Sequence, residues 1–171
     1  GIVENFEELK NSLKEIPLGT KVKVVGPMGS FTLHQDVVKP AAFLAGGIGI
    51  TPFRGIVEYA TEGLLFHKIA LFYSNRTPAS ATFLEDFEKW EKKNQNFRFV
   101  ATVTDTQDPN WKHEFGRIDP AMVKKYLTPT EVPNAMYYVA GPPQMVAGMR
   151  QVLESLKISD DAIKTEEFSG Y

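Results

Sequence analysis

The chain has no cysteine, so disulfides, thiolate metal sites, cysteine-ligated iron–sulfur clusters and a cysteine nucleophile are all excluded. Any redox chemistry must therefore use a bound cofactor. The three histidines, His34, His67 and His113, show neither HxxxH nor HExxH spacing, and zinc chemistry of that kind is not indicated. No apolar run approaches the roughly 20 residues of a membrane helix, and no signal-peptide pattern opens the chain; a cytoplasmic location is the expectation. With 19 basic and 21 acidic residues the net charge is −2, and no basic stripe is present, which argues against nucleic acid or an anionic membrane as the main partner.

What is present is ordinary for a globular protein. Of the 171 residues 43% are hydrophobic, enough for one full domain and a small appendage. Residues 1–36 and 37–171 follow different patterns. The first segment places Phe6, Leu9, Leu13 and Ile16 at helical spacing and stops at Pro17-Leu18-Gly19. Alternation over Lys21 to Val25 and a short run from Phe31 to His34, with Gly26, Pro27 and Gly29 between them, predict two strands at the end of an antiparallel barrel or sheet.

From residue 37 onward, apolar runs alternate with amphipathic segments. The runs "AAFLAG", "KIALFYS", "FRFVATVT" and "AMYYVAG", with a last one from about Ile163 to Phe168, predict five strands separated by helices. The fold class is α/β: a doubly wound five-stranded parallel sheet with helices on both faces, because parallel strands need right-handed crossovers. Ligands of such sheets sit at the carboxyl ends of the strands, near the switch point.

The loop after the first strand, "AGGIGITPFRG", carries Gly46, Gly47 and Gly49, which let a phosphate approach backbone amides. Thr51 reads as a helix N-cap and Pro52 as the first helical residue, with the positive end of the helix at the loop. A glycine-rich turn without ligand is the competing explanation. The spacing is not G-x-G-x-x-G and no Walker lysine follows.

After the second strand, Ser74, Asn75 and Arg76 stand where the adenosine ribose of a dinucleotide lies. Arginine there accommodates a 2′-phosphate and leans towards NADP, or else it is simply solvated. After the third, Thr104 and Asp105 fit either a cofactor contact or a turn, and Asp105, Asp108 and Glu114 match no calcium-loop spacing. After the fourth, Gly141, Pro142, Pro143 and Met145 form a second glycine-bearing helix entrance on the same edge. The tail "KTEEFSGY" brings Glu167, Phe168 and Tyr171 to the cleft mouth, where an aromatic can stack on a planar ring; a frayed end is the alternative.

Taken in order, "GPMGSF", "AGGIGITP", "YSNR", "AGPPQM" and "EEFSGY" resemble the ferredoxin-NADP reductase superfamily over residues 18–171. The resemblance implies a two-domain flavoprotein: residues 1–36 would be a remnant of the flavin-binding β-barrel and 37–171 the NAD(P)-binding domain. It implies NADP or NAD together with FAD, and hydride passing from nicotinamide C4 to flavin N5. Electrons would go on to ferredoxin or another redox partner.

Gly46 to Pro52 would hold the pyrophosphate and nicotinamide ribose, Arg76 and its neighbours the adenosine end, and Gly141 to Met145 the nicotinamide. Phe168 and Tyr171 would lie by the flavin ring with Glu167 near, at the catalytic end. The family's Arg-x-Tyr-Ser/Thr flavin motif is absent, Glu7 or Glu8 stands where a hydroxyl residue approaches the flavin diphosphate, and the cysteine common after the fourth strand is missing near Ala140. A truncated nucleotide-binding module without flavin or redox activity is the alternative these departures raise.

Overall fold

Ala41–Gly46 (β1) is a run of six buried residues, as expected of a strand covered on both faces. The computed structural model describes residues 6–23, 30–105 and 108–168, and the chain divides into two units, Gly1–Ser30 and Phe31–Tyr171. In the first unit, helix α1 (Phe6–Glu15) ends at a Pro17–Thr20 turn in which the Thr20 hydroxyl donates to the Pro17 carbonyl at 2.7 Å and Gly19 takes φ +88°. Lys21–Lys23 and Phe31–His34, where strands are expected, have no regular structure, and Val24 and Val25 lie outside the described residues. A strand is stable only beside another, and alternation alone supplies no partner.

The second unit is a parallel sheet. β1 is followed by a 3₁₀ turn (Gly47–Gly49) and α2 (Ile50–Glu62), then β2 (Ile69–Asn75), α3 (Leu84–Lys93) and β3 (Phe97–Val103). β4 (Glu114–Phe115), α4 (Pro120–Tyr126), α5 (Glu131–Asn134), β5 (Met136–Gly141), α6 (Pro143–Ser155) and β6 (Ile163–Glu167) complete it. Strand order is β4-β3-β2-β1-β5-β6. The chain winds outward from β1 in one direction and then returns to its other side, so the switch point lies between β1 and β5.

The sheet has six strands rather than the expected five. The extra one, β4, is two residues long and pairs at Thr102↔Glu114 and Val103↔Phe115. Its neighbours hold it there: the Trp111 indole donates to the Glu114 carbonyl at 2.8 Å, while the Glu114 carboxylate accepts from Lys125 Nζ at 2.8 Å and from the Tyr126 hydroxyl at 2.5 Å. The Lys125 ammonium, then the Tyr126 hydroxyl, hold the Glu114 carboxyl below its ordinary pKa.

Period-two alternation sends β1 side chains to two cores. Phe43 and Ala45 pack with Phe53 and Val57 of α2 and Phe87 and Trp90 of α3. Ala42 and Leu44 pack with Met122 of α4 and Val146, Met149 and Leu153 of α6. Each large side chain so buried contributes about 1.5–3 kcal/mol, and this fixes the positions of the loops at the carboxyl edge.

The irregular segment before β1 is fastened to the sheet by polar groups. The Tyr138 hydroxyl accepts the His34 backbone N–H at 2.8 Å and lies 2.9 Å from His34 Nδ1. His34 Nε2 faces the Lys39 carbonyl at 2.8 Å, so Nε2 carries the ring proton and Nδ1 accepts from Tyr138. Burial lowers the His34 pKa below its ordinary 6.5, with His67 and Lys39 adding to the effect against the Lys39 carbonyl and Asp36.

A histidine with a depressed folded pKa contributes stability that is complete above its unfolded value and is lost as pH falls through the folded one. The urea midpoint is therefore expected to be flat above pH 6.5 and to fall below it. His34→Gln should flatten that slope; an unchanged slope in the variant would show that another group is responsible.

Candidate functional site

At the carboxyl edge four loops converge. β1 and β2 are in register to Gly46↔Ser74, and β1 and β5 to Ala45↔Ala140. Beyond these pairs the loops after β1, β2, β3 and β5 enclose a cleft of about 470 Å³, within the usual size of a small-molecule site. Eight residues expected at a nucleotide site line it together: Gly46, Gly47, Ser74, Asn75, Arg76, Thr104, Pro142 and Met145.

The glycines have separate tasks. Gly47 takes φ +52°, which favours glycine. A Cβ on Gly49 would stand 2.1 Å from the Ala140 carbonyl oxygen, so this glycine seats the loop against the end of β5. A Cβ on Gly46 would come within 3.0 Å of Met145 Cγ, and one on Gly141 within 3.0 Å of Met145 Sδ and 3.2 Å of the Gly46 carbonyl oxygen. Gly49 and Gly141 therefore lie behind the cleft and shape it.

Thr51 is not the N-cap that its sequence position suggests. The 3₁₀ turn runs directly into α2, whose N-cap is Gly49, and the Thr51 hydroxyl donates to the Ile48 carbonyl at 2.9 Å. Pro52 is accordingly the third helical residue, and neither it nor Thr51 lines the cleft. The N-terminus of α2 still faces the glycine loop, and α6 begins on the same edge at Pro143, one residue past the cleft-lining Pro142.

The polar wall is formed by the ends of β2 and β3. Asn75 is buried to 6% exposure, and neither its side-chain nitrogen nor its oxygen has a hydrogen-bond partner. Such a buried, unpaired amide costs roughly 1–3 kcal/mol, and here it borders a cleft that a ligand can fill. Arg76 Nε lies 3.3 Å from Asp105 Oδ2. The Thr104 hydroxyl donates to Asp105 Oδ1 at 2.9 Å, with a longer approach of 3.4 Å to the Asn75 carbonyl.

Ile48, inside the expected Gly46 to Pro52 segment, also lines the cleft, as do Ser80 and Thr82, which were not anticipated. Ser80 and Thr77 form a capping box around the turn Pro78–Ser80, and Thr82 N–H donates to the Tyr73 hydroxyl at 3.2 Å. The hydroxyl-rich run "TPASAT" after Arg76 was the available signal. At the tail, Glu167 stands opposite Gly141 at the end of β6 and is exposed. Phe168 N–H donates to the Gly141 carbonyl at 3.0 Å, and its half-buried ring packs on the α2-side core. Tyr171 lies outside the described residues.

Residues 43–151 match the family described as the oxidoreductase NAD-binding domain, and the match takes in the cleft from Gly46 to Met145. The chain belongs to this family. Within it, and so within the ferredoxin-NADP reductase superfamily, the chain is 30% identical over 155 residues to a subunit of the Na(+)-translocating NADH-quinone reductase of Marinomonas sp..

That alignment covers 89% of the chain and 38% of the relative, so the chain spans about two fifths of that protein's length. The cytochrome b5 reductase domain of Ulva prolifera nitrate reductase superposes with a TM-score of 0.76 at 26% identity, covering 94% of this chain and 65% of that one. A Malassezia yamatoensis flavohemoglobin with bound FAD and heme gives 0.68 at 25% identity, over 80% of this chain and 33% of that one. Among the described residues no helix of this NAD-binding domain is long and apolar enough to cross a membrane.

Proposed function

We propose that the chain is the nicotinamide-nucleotide-binding part of an NAD(P)H-dependent flavin oxidoreductase and presents a dinucleotide across its carboxyl edge. The observation that carries this reading is Asn75, a buried amide with both polar atoms unpaired at the wall of the cleft. Gly46 and Gly47, beside the N-terminus of α2, would take the pyrophosphate. Ser74, Asn75, Arg76 and Thr104 would take the adenosine end. Pro142 and Met145, backed by Gly141, would take the nicotinamide.

FAD, when bound, supplies the hydride acceptor. Phe168 and Glu167 would border it on this side, with Tyr171 beyond, and residues 1–36 would belong to the flavin domain. Electrons would pass to a further redox partner; the relatives include a quinone reductase subunit and a cytochrome b5 reductase domain. A cytoplasmic site of action belongs to the same proposal.

The 171-residue chain is expected to bind NADH. At about 100 times the dissociation constant, its thermal midpoint should rise by roughly 5–10 °C. ADP-ribose should compete, because most of the polar wall faces the adenosine half. No shift with NADH, NADPH or ADP-ribose at millimolar concentration would refute the proposal.

A further inference from the structure

Two turns at the amino edge of the sheet carry apolar residues where polar ones are usual. The turn Asp36–Lys39 is closed by Lys39 N–H, which donates to the Asp36 carbonyl at 3.2 Å, and by Val38 N–H, which donates to Asp36 Oδ1 at 3.0 Å. Its central positions, where glycine, asparagine or another polar residue is the rule, are Val37 and Val38, and Val38 is 86% exposed. The turn that ends α2 is closed by Gly63 N–H to the Tyr59 carbonyl at 2.8 Å and by Leu65 N–H to the Ala60 carbonyl at 2.9 Å. It holds Leu64 at φ +51° and 77% exposed, a conformation that glycine or asparagine adopts with less strain.

The segment from this turn into β2 alternates. Leu65 and His67 turn inward, while Phe66 and Lys68 face out, with Phe66 78% exposed. Phe66, Val37 and Val38 line one open cleft of about 640 Å³. The charged groups of that cleft are two carboxylates, Asp36 and Glu131, and two ammonium groups, Lys39 and Lys68. Single exposed apolar side chains are ordinary, whereas a cluster with a polar rim marks a contact surface.

The rim selects the occupant. With two charges of each sign, a strongly acidic or strongly basic partner would meet repulsion as often as attraction, and so would an anionic membrane. A second copy rotated by half a turn brings the same apolar centre and can set each lysine opposite a carboxylate. We propose that the chain pairs with a second copy of itself through this surface as a two-fold dimer, with Val38 and Phe66 at its centre. The surface lies at the amino ends of β1 and β2 and the nucleotide cleft at their carboxyl ends, so pairing leaves that cleft open.

The test is sedimentation velocity of the chain from about 5 to about 500 µM, a range that captures weak pairing, on the unsubstituted protein, Val38→Glu and Phe66→Glu. The thermal midpoint of each protein, taken at the lowest concentration, checks its folding. A monomer–dimer equilibrium is expected, weakened at least about tenfold by either substitution with the midpoint unchanged. Val38 and Phe66 belong to separate segments, so if one variant is destabilised the other decides. A monomer at every concentration overturns the proposal, as does a dimer that neither substitution weakens or growth into open-ended assemblies. A monomer that floats with neutral phosphatidylcholine vesicles would assign the surface to lipid and overturns it equally.

Discussion

Gly49→Ala is expected to cost about 3–5 kcal/mol of stability, at the upper end of what single overpacking substitutions do. The new Cβ would stand 2.1 Å from the Ala140 carbonyl oxygen, 2.4 Å from its carbonyl carbon and 2.6 Å from Gly141 N. All three are backbone atoms at the carboxyl end of β5, which is paired on both sides in the sheet, and none can swing aside as a side chain would. Relief requires either the glycine loop to lift from β5 or β5 to move against β1, to which it is paired from Ala41↔Met136 to Ala45↔Ala140.

For a chain of this length the thermal midpoint should fall by roughly 10 °C. Nucleotide affinity should fall as well, because the loop that lifts is the one bordering the cleft. Gly55→Ala is the control: a Cβ there meets nothing within 4 Å, so a substituted helical glycine should be neutral or slightly stabilising. A Gly49→Ala protein as stable as the Gly55→Ala protein would disprove the account of the loop's seat.

Asn75→Ala is expected to separate binding from stability. In the free protein the Asn75 amide pairs with nothing, so removing it relieves a buried polar group while losing only some packing, and the folding free energy should change by less than about 1 kcal/mol. Binding should weaken by about 2–3 kcal/mol, roughly 30- to 150-fold, if nucleotide groups complete the hydrogen bonds that the amide lacks. Asn75→Asp keeps the shape but removes the amide's N–H donors and buries a charge in the cleft wall, and it should bind no better than the alanine variant. Chemical denaturation and nucleotide titration on the same samples resolve the two effects. Loss of stability without loss of affinity would make Asn75 a structural residue and remove the chief support for the cleft as a nucleotide site.

The sequence was most legible where burial is symmetrical. β1, β2, β3 and β5 are six or seven residues long and almost wholly buried, so each reads as an apolar run, broken only in β3 by the exposed Arg98 and ending at glycine or polar residues. β4 could not be read that way: its two residues carry no pattern, and they form a strand because Trp111, Lys125 and Tyr126 hold Glu114 in place. Phe31 to His34 failed in the opposite sense, having strand-like alternation but no neighbouring strand among the described residues to pair with; Tyr138 fastens the segment instead.

The cleft was legible as a set of loops, since the rule that ligands sit at strand carboxyl ends needs only strand order. Two of its features were not. Thr51 followed by Pro52 is a fair N-cap signature, and only the backbone shows that the preceding 3₁₀ turn has already started the helix at Ile50. Arg76 and Asp105 are 29 positions apart, and their meeting depends on the parallel register of β2 with β3, which no local pattern encodes.

The margins of the sheet bear on how this domain meets its neighbours. One margin, β4, offers two residues, and the other, β6, carries Lys164, Glu166 and Glu167 within five. Neither is a long apolar edge of the kind that recruits a foreign strand. Both margins thus disfavour self-association by sheet extension, which leaves loops and helix surfaces for protein–protein contact. Such contacts can form and release without breaking backbone ladders.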